Sequence, residues 1–141
     1  MEQSTIFQPF FATLLLTMVV WLYMYERRLP FLLGNKIDLN QLTPNELARI
    51  SPAAVSTPSD NLKNLFELPT LFYAVTLYLY AMQQVDRGYL IAAWGFFLFR
   101  VLHSIVHCTF NFVPLRFFLY VISAGMLWFM VVRAAVSVVV A

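Results

Sequence analysis

Four long stretches of this chain carry very few charges, and they constrain its fold more than any other feature. They run over about 7–25, 62–83, 88–111 and 115–139. A bilayer core of about 30 Å needs roughly 20 mainly apolar residues in an α-helix, so each stretch is long enough to span it. Barrel strands alternate in polarity, whereas these stretches are apolar on every face. The sequence therefore predicts an all-α integral membrane protein, a four-helix bundle with a single domain over residues 1–141.

The composition excludes most soluble classes of protein. Of the 141 residues, 61% are hydrophobic and 11% are charged, whereas a soluble domain carries about 25% charged residues. The net charge of +2 is too small to indicate a nucleic-acid-binding surface. The expected partners are membrane lipids, other copies of the chain or something amphipathic, with no nucleic acid; the hydrophobic small-molecule substrate is implied only by the resemblance described below.

The polar stretch of about 26–61 forms the loop between the first two predicted spans. Within it, Thr43 followed three residues later by Glu46 predicts a short capped helix that ends at Ile50. Most basic residues fall in this loop, at its flanks, or in the turn before the fourth span: Arg27, Arg28, Lys36, Arg49, Lys63 and Arg116. The positive-inside rule then predicts that the loop is cytoplasmic and that both termini of this multi-pass protein lie on the non-cytoplasmic side.

Polar side chains inside the spans converge on the cytoplasmic half of the predicted bundle. They are Lys63, Asn64 and Glu67 on the second span, and Arg100, His103 and His107 on the third. Each ionisable group in a span costs on the order of 2.5 to 3.5 kcal/mol on insertion scales, so such groups usually face a partner or a wet cavity. Glu67 and Arg100 could form a structural ion pair, with or without a ligand nearby. The cluster predicts a binding site for a polar ligand.

Two further features bear on chemistry: a pair of histidines and a proline close to Glu67. His103 and His107 are four residues apart and could chelate a metal or a haem iron, but no third ligand stands at a dependable spacing, so no metal is predicted. Pro69 lies two residues after Glu67. We expect the helix to begin near Asp60 and to be kinked at Pro69, which places Glu67 inside the helix rather than at its cap.

The polar residues and their spacing resemble those of a known family. The run Asn-Leu-Phe-Glu-Leu-Pro at 64–69, followed by Arg100-x-x-His103-x-x-x-His107 and by Arg116, is similar to the membrane-associated proteins in eicosanoid and glutathione metabolism, the MAPEG family. Within that family the chain looks like a bacterial-type member related to the microsomal glutathione transferases. The resemblance covers the whole chain and implies a homotrimer that binds glutathione as cosubstrate between adjacent subunits.

The resemblance also implies roles for individual residues. Arg116 matches the arginine that holds the glutathione sulfur as a thiolate, and His107 could donate a hydrogen bond to the sulfur or act as an acid or base. The residues implied to bind glutathione are Arg28, Lys63, Asn64, Glu67, Arg100 and His103, with Arg28, or alternatively Arg27, coming from the neighbouring subunit. The implied function is a glutathione-dependent transferase or peroxidase acting on lipophilic electrophiles or lipid hydroperoxides.

Three positions depart from the family pattern. His107 stands where the eicosanoid enzymes carry a tyrosine, Phe117 where the prostaglandin synthase has a serine, and Asp60 where a basic residue is common. The missing tyrosine and serine favour an alternative function, a non-catalytic lipid-binding or partner-presenting membrane protein of the same fold. The combination of Glu67, Arg100 and Arg116 favours the enzyme.

Overall fold

The protein folds into helices throughout the part that the structure describes. The structure is a computed structural model that describes residues 2–38, 40 and 42–140. After a 3₁₀ turn, Gln3–Ile6, come five α-helices: α1 (Phe7–Gly34), α2 (Pro44–Ile50), α3 (Ala53–Ala81), α4 (Arg87–Cys108) and α5 (Val113–Val140). No strand occurs within the described residues. The all-α prediction is confirmed.

Three segments of the described chain are long and apolar enough to cross a membrane: Gln3–Gly34, Arg87–Cys108 and Val113–Val140. They identify an integral membrane protein. Helix α3 has 29 residues and is long enough as well, but its first half carries Asp60, Lys63 and Glu67. Its passage through the membrane as a fourth span stays a prediction.

The helices extend further than the apolar stretches that predict them. Helix α1 continues past Glu26 to Gly34, and α3 begins at Ala53. The expectation of a loop over about 26–61 is therefore wrong at both ends, because charged residues such as Glu and Arg are good helix formers and mark a border with water rather than the end of a helix. The short helix inside this stretch is confirmed. Thr43 caps α2 by accepting a hydrogen bond from the Glu46 N–H, and the Glu46 carboxylate accepts one from the Thr43 N–H.

Helix α3 runs without interruption through Pro58 and Pro69. It begins seven residues earlier than the expected start near Asp60, and Glu67 lies in its interior, as predicted. Proline is tolerated inside such a helix where neighbouring groups satisfy the backbone. The side chain of Glu67 is thus held at a fixed register on α3.

The core lies between α3, α4 and α5. Its fully buried apolar residues include Phe72, Leu79, Ala93, Phe96, Leu127 and Met130. The rings of Phe72 and Phe96 stack with centroids 4.5 Å apart, and α4 packs most extensively against α5 while α1 packs against α3. This packing fixes the α3 and α5 side chains that face each other across the groove between the two helices.

The molecule has two ends with different polar groups. At the end that carries α2, which we call the α2 end, Asn61 is buried and donates to the Cys108 Sγ at 3.6 Å, and Arg28 donates to the Ser59 Oγ at 2.8 Å. At the opposite end, which we call the far end, Arg133 binds the carboxylate of Asp86. The residues predicted to form a site all belong to the half of the molecule nearer the α2 end.

Candidate functional site

An open pocket lies between the first half of α3 and the start of α5. It has a volume of about 260 Å³ and is lined by Asn64, Glu67, His103, Val113, Arg116, Phe117 and Tyr120. Four of the predicted site residues therefore meet here: Asn64, Glu67, His103 and Arg116. The pocket presents a carboxylate, an amide, an imidazole and a guanidinium to one small volume, next to the apolar side chains of Val113 and Phe117.

Arg116 is held in this pocket by the turn between α4 and α5. Its Nη1 donates to the Asn111 Oδ1 at 2.7 Å. Asn111 has a φ of 46°, in the left-handed region that asparagine tolerates better than most residues. Arg116 makes no ion pair with any described residue. The rest of its guanidinium can therefore receive an anion.

Glu67 is exposed and makes no ion pair within the described residues. The sequence left open whether Glu67 and Arg100 form a structural ion pair. No such pair occurs among the described residues. Lys63, one turn before Glu67, pairs instead with Asp60 at 3.0 Å. Glu67 thus remains available to a cationic group of a ligand.

Arg100 lies behind the pocket rather than on its wall. Its side chain is fully buried, and its guanidinium carbon lies 4.6 Å from the ring centre of Tyr120 and 5.5 Å from that of Phe96. None of its three side-chain nitrogens has a hydrogen bond to a described residue. A buried cation without a hydrogen-bonded counter-charge is costly. Because no counter-charge neutralises it, its positive potential acts on whatever occupies the neighbouring pocket.

The two histidines have different positions. His103 is 2% exposed and borders the pocket, whereas His107 is 3% exposed and is not part of its lining. Their rings are perpendicular, with centroids 5.5 Å apart, and the Nδ1 atom of each lacks a hydrogen bond to any described residue. Within those residues no three His, Cys, Asp or Glu side chains converge as metal ligands. His103, rather than His107, is placed to touch a ligand.

Arg28 and Lys63 lie on the other side of α3. They line a second cavity, of about 540 Å³, between α1 and α3, together with Trp21, Met24, Tyr25, Ser59, Leu62, Phe66 and Glu67. Glu67 belongs to the lining of both cavities. Within one chain the predicted site residues are therefore divided between two faces of α3, and Arg100 and His107 lie in the interior.

Tyr120 is the site residue that the sequence reasoning missed. Its ring covers the Arg100 guanidinium and lies 6.0 Å from the His103 ring. A signal was present, because Tyr120 follows Arg116 by four residues and thus falls on the same face of α5. It was overlooked among seven tyrosines in an aromatic-rich chain.

In the comparisons with known proteins, one family model matches almost the whole chain. The family model described as the MAPEG family matches residues 6–136. No curated protein and no solved structure matches the chain significantly.

Proposed function

Because the chain belongs to the MAPEG family, we propose that it is a glutathione-dependent transferase or peroxidase acting on lipophilic electrophiles or lipid hydroperoxides. The observation that carries this proposal is the pocket between α3 and α5, where Asn64, Glu67, His103 and Arg116 meet beside an apolar wall. Glutathione has one ammonium group, two carboxylates and a thiol. The exposed Glu67 carboxylate suits the ammonium group, and the guanidinium of Arg116 suits the sulfur.

The reaction begins with loss of the thiol proton. A thiol with a pKa of about 8.5 is mostly protonated at neutral pH, and an adjacent cation stabilises the nucleophilic thiolate. Arg116 is permanently charged and borders the pocket, and the buried charge of Arg100 adds to the positive potential. The pocket is open, so the thiol proton can leave to water. His103 takes over the hydrogen bond to the sulfur that the sequence assigns to His107, because His103 lines the pocket and His107 is packed behind it.

The thiolate then reacts in one of two ways. With an electrophile, the sulfur forms a bond to carbon, and the electron pair moves onto a leaving group or an adjacent carbon that takes up a proton. With a hydroperoxide, the sulfur attacks the terminal oxygen and the O–O bond breaks, which gives the sulfenic acid of glutathione and an alkoxide that takes up a proton and leaves as the alcohol. A second glutathione then forms the disulfide and water is released. The first route needs no reductant, and in the second the two glutathione molecules are the reductant.

The proposal includes a homotrimer of four-span subunits. Arg28 and Lys63 face away from the pocket that holds Arg116, on the opposite side of α3. A neighbouring copy could bring these cations to the open pocket and complete a site for the two carboxylates. In this arrangement α3 is a fourth span, the α2 end is cytoplasmic and both termini are non-cytoplasmic, as the distribution of basic residues predicts.

Glutathione binding and turnover test the proposal. Calorimetry in detergent should show saturable binding of glutathione by the wild type and loss of binding in Glu67→Gln. Glu26→Gln, an exposed glutamate of α1, is the matched control and should bind normally. Conjugation assays with several unrelated electrophiles should then show turnover. Absence of glutathione binding in the wild type would overturn the proposal.

Two observations favour the alternative of a non-catalytic lipid-binding or partner-presenting protein. His107 is buried away from the pocket, and the bulky Phe117 stands on its wall, 66% exposed. This alternative predicts binding of lipids without turnover of any electrophile or hydroperoxide. Glutathione that binds but never reacts in the conjugation and peroxidase assays would support it.

A further inference from the structure

A further cavity lies at the α2 end, between the end of α1, α2 and the first turns of α3. We call it the α2 cavity. It has a volume of about 410 Å³, which is within the usual range for sites that bind small ligands. Its polar lining includes two cations, one carboxylate and three serine hydroxyl groups, from Arg28, Lys63, Asp60, Ser51, Ser56 and Ser59.

The α2 cavity continues into the cavity of about 540 Å³ between α1 and α3, which we call the α1–α3 cavity. Both cavities are lined by Arg28, Ser59 and Lys63. Beyond these shared residues, the α1–α3 cavity is mainly apolar and aromatic, with Glu67 at its edge and a wall of Trp21, Met24, Tyr25, Leu62 and Phe66. The groove between α1 and α3 therefore has a polar part and an apolar part, and two cations lie where they meet.

The aromatic residues of α1 indicate how deep this groove lies in the membrane. The rings of Trp21 and Tyr25 pack edge to face with centroids 4.9 Å apart, directly before the first charges of α1 at Glu26, Arg27 and Arg28. Tryptophan and tyrosine concentrate at the level of the lipid headgroups, and basic side chains near helix ends reach towards the same level. The shared cations thus lie at the depth of the lipid phosphates.

The hydrogen bonds of the shared residues leave room for an anion. The Arg28 Nη2 donates to the Ser59 Oγ at 2.8 Å, but the Arg28 Nε is buried without a hydrogen bond to any described residue. Buried donors normally have an acceptor. Lys63 pairs with Asp60, but their side chains are 70% and 53% exposed, so the pair is weak and opens readily. A phosphate can therefore bind between Arg28 and Lys63.

We propose that the groove between α1 and α3 binds a phospholipid with a net negative charge. Its phosphate lies on Arg28 and Lys63, its headgroup in the α2 cavity and an acyl chain along the apolar part of the groove. Phosphatidylglycerol has the required chemistry, because its headgroup hydroxyls can bond to the serine hydroxyls. Each cavity has two cations and one carboxylate, and this excess of one positive charge favours an anionic lipid over a zwitterionic one.

The binding of the lipid does not rest on the proposed function, but one consequence does. In the proposed trimer, Arg28 and Lys63 serve the carboxylates of glutathione on a neighbouring copy. Lipid phosphate and glutathione then compete for the same two cations. The anionic lipid content of the membrane would regulate the affinity for glutathione.

Quenching of tryptophan fluorescence tests for the lipid. In the double variant Trp94→Phe, Trp128→Phe, Trp21 is the sole tryptophan. The protein is placed in phosphatidylcholine vesicles that contain a small fraction of brominated lipid, either phosphatidylglycerol or phosphatidylcholine. Brominated phosphatidylglycerol should quench Trp21 more strongly than brominated phosphatidylcholine at the same mole fraction. Equal quenching by the two lipids would overturn the inference.

Trp94 provides the matched control. It is 40% exposed on α4, against 45% for Trp21, and it lines neither cavity. In Trp21→Phe, Trp128→Phe, the two brominated lipids should quench Trp94 equally, and a preference of Trp94 for phosphatidylglycerol as large as that of Trp21 would overturn the site. If the tryptophan variants do not fold, native mass spectrometry of the wild type with a mixture of the two lipids should show preferential retention of phosphatidylglycerol. No preference there would also overturn the inference.

Variants that change one charge locate the site. Ser56→Asp adds a carboxylate to the α2 cavity and should lower the preference for phosphatidylglycerol about fivefold, which corresponds to about 1 kcal/mol. Thr57→Asp is the matched control, because Thr57 is also half-buried but does not line this cavity. Equal losses in both variants would reduce the effect to general surface charge and overturn the site. Asp60→Asn releases Lys63 and should strengthen binding. Weaker binding would show that Asp60 receives the ammonium group of a zwitterionic lipid, contrary to the inference.

Inorganic phosphate distinguishes a lipid from a free anion. Added at an ionic strength matched with sodium chloride, it should leave the quenching of Trp21 by brominated phosphatidylglycerol unchanged. Loss of the quenching with phosphate, but not with sodium chloride, would show a site for free phosphate and overturn the lipid proposal.

Calorimetry with glutathione separates this inference from the proposed function. Phosphatidylglycerol should weaken glutathione binding, whereas phosphatidylcholine should not. Lipid-specific quenching in a protein that binds no glutathione would support the lipid site and refute the enzyme. Glutathione binding without lipid-specific quenching would leave the enzyme intact and overturn the lipid site. Lipid-specific quenching with unchanged glutathione affinity would support the lipid site and show that Arg28 and Lys63 do not serve glutathione.

Discussion

The two ends of the molecule differ in whether an arginine has a hydrogen-bonded partner. At the far end, Arg133 donates to the Asp86 carboxylate at 2.9 Å and stacks on the ring of Tyr89 at 4.4 Å. In the half nearer the α2 end, Arg100 is fully buried and stacks on Tyr120, but it has no hydrogen bond to any described residue. The first arginine is paired within one chain, and the second is not.

Other polar groups repeat this difference. At the far end, the side-chain amide of Gln3 both donates to and accepts from the backbone of Val85, at 3.2 and 2.8 Å. Near the α2 end, His103 and His107 each have a buried Nδ1 without a partner among the described residues. Polar groups that join helices are satisfied by the chain itself, whereas those of a binding site are satisfied by the ligand. The comparison favours a structural role for these far-end contacts and leaves the unpaired groups near the α2 end available to a ligand.

The largest effect should come from replacing the unpaired arginine. Arg100→Met removes a buried charge and keeps the volume, so the ligand-free protein should gain about 1–3 kcal/mol in free energy of unfolding. Glutathione affinity should fall about tenfold, because the pocket loses positive potential. Thermal unfolding in detergent and calorimetry measure the two effects. A less stable variant with unchanged glutathione affinity would show that Arg100 is paired in the protein and serves its structure.

The paired arginine should give the reverse result. Arg133→Met leaves Asp86 without its partner, and the free energy of unfolding should fall by about 0.5–1 kcal/mol, since both side chains are nearly half exposed. Glutathione affinity and kcat/KM should not change. Reduced glutathione affinity with normal thermal stability would contradict a purely structural role for Arg133 at the far end.

The same pair should make stability depend on acid pH. Hydrogen bonds from Arg133 hold the pKa of Asp86 below its ordinary value of 3.8. A carboxyl group with a lower pKa in the folded state stabilises the protein above the pKa of the unfolded state, and this contribution is lost as the pH falls through the folded pKa. Thermal unfolding scans from neutral pH to below pH 3.8 should show this loss. It should be missing in Asp86→Asn, and an identical acid profile for the variant would contradict the assignment.

The smallest effect should be local to α2. Thr43→Ala removes the capping hydrogen bond that the Glu46 N–H donates at 3.3 Å, and α2 should open more often while the rest of the protein stays unchanged. Hydrogen exchange measured by mass spectrometry should show faster exchange over 44–50 alone. Faster exchange over α3 as well would show that the stability of α3 depends on α2.

The sequence predicts the helices well because apolar runs and capping residues act locally. Thr43 and Glu46 are three residues apart, and their capping box forms as predicted. Helix ends were harder to predict, since α1 continues to Gly34 through charged residues. Charge marks where a helix leaves the lipid, and helix propensity decides where it stops.

The site was predictable in its residue types but less so in its arrangement. Helical spacing correctly places Asn64 and Glu67 near each other on α3. The side of α3 on which Lys63 lies, the burial of Arg100 and the position of Tyr120 between Arg100 and the pocket all depend on how α3, α4 and α5 pack together. Such contacts between distant parts of the chain are not encoded in any local pattern.

Thiolate formation tests the central claim most directly. Glutathione added to the wild type in detergent should produce the ultraviolet difference absorbance of a thiolate, because the positive potential at Arg116 lowers the pKa of the thiol. Arg116→Ala should show little or none, and Arg133→Ala, the matched control at the far end, should show the wild-type amplitude. A wild type without the thiolate signal, or an Arg116→Ala variant with the full signal, would contradict the account.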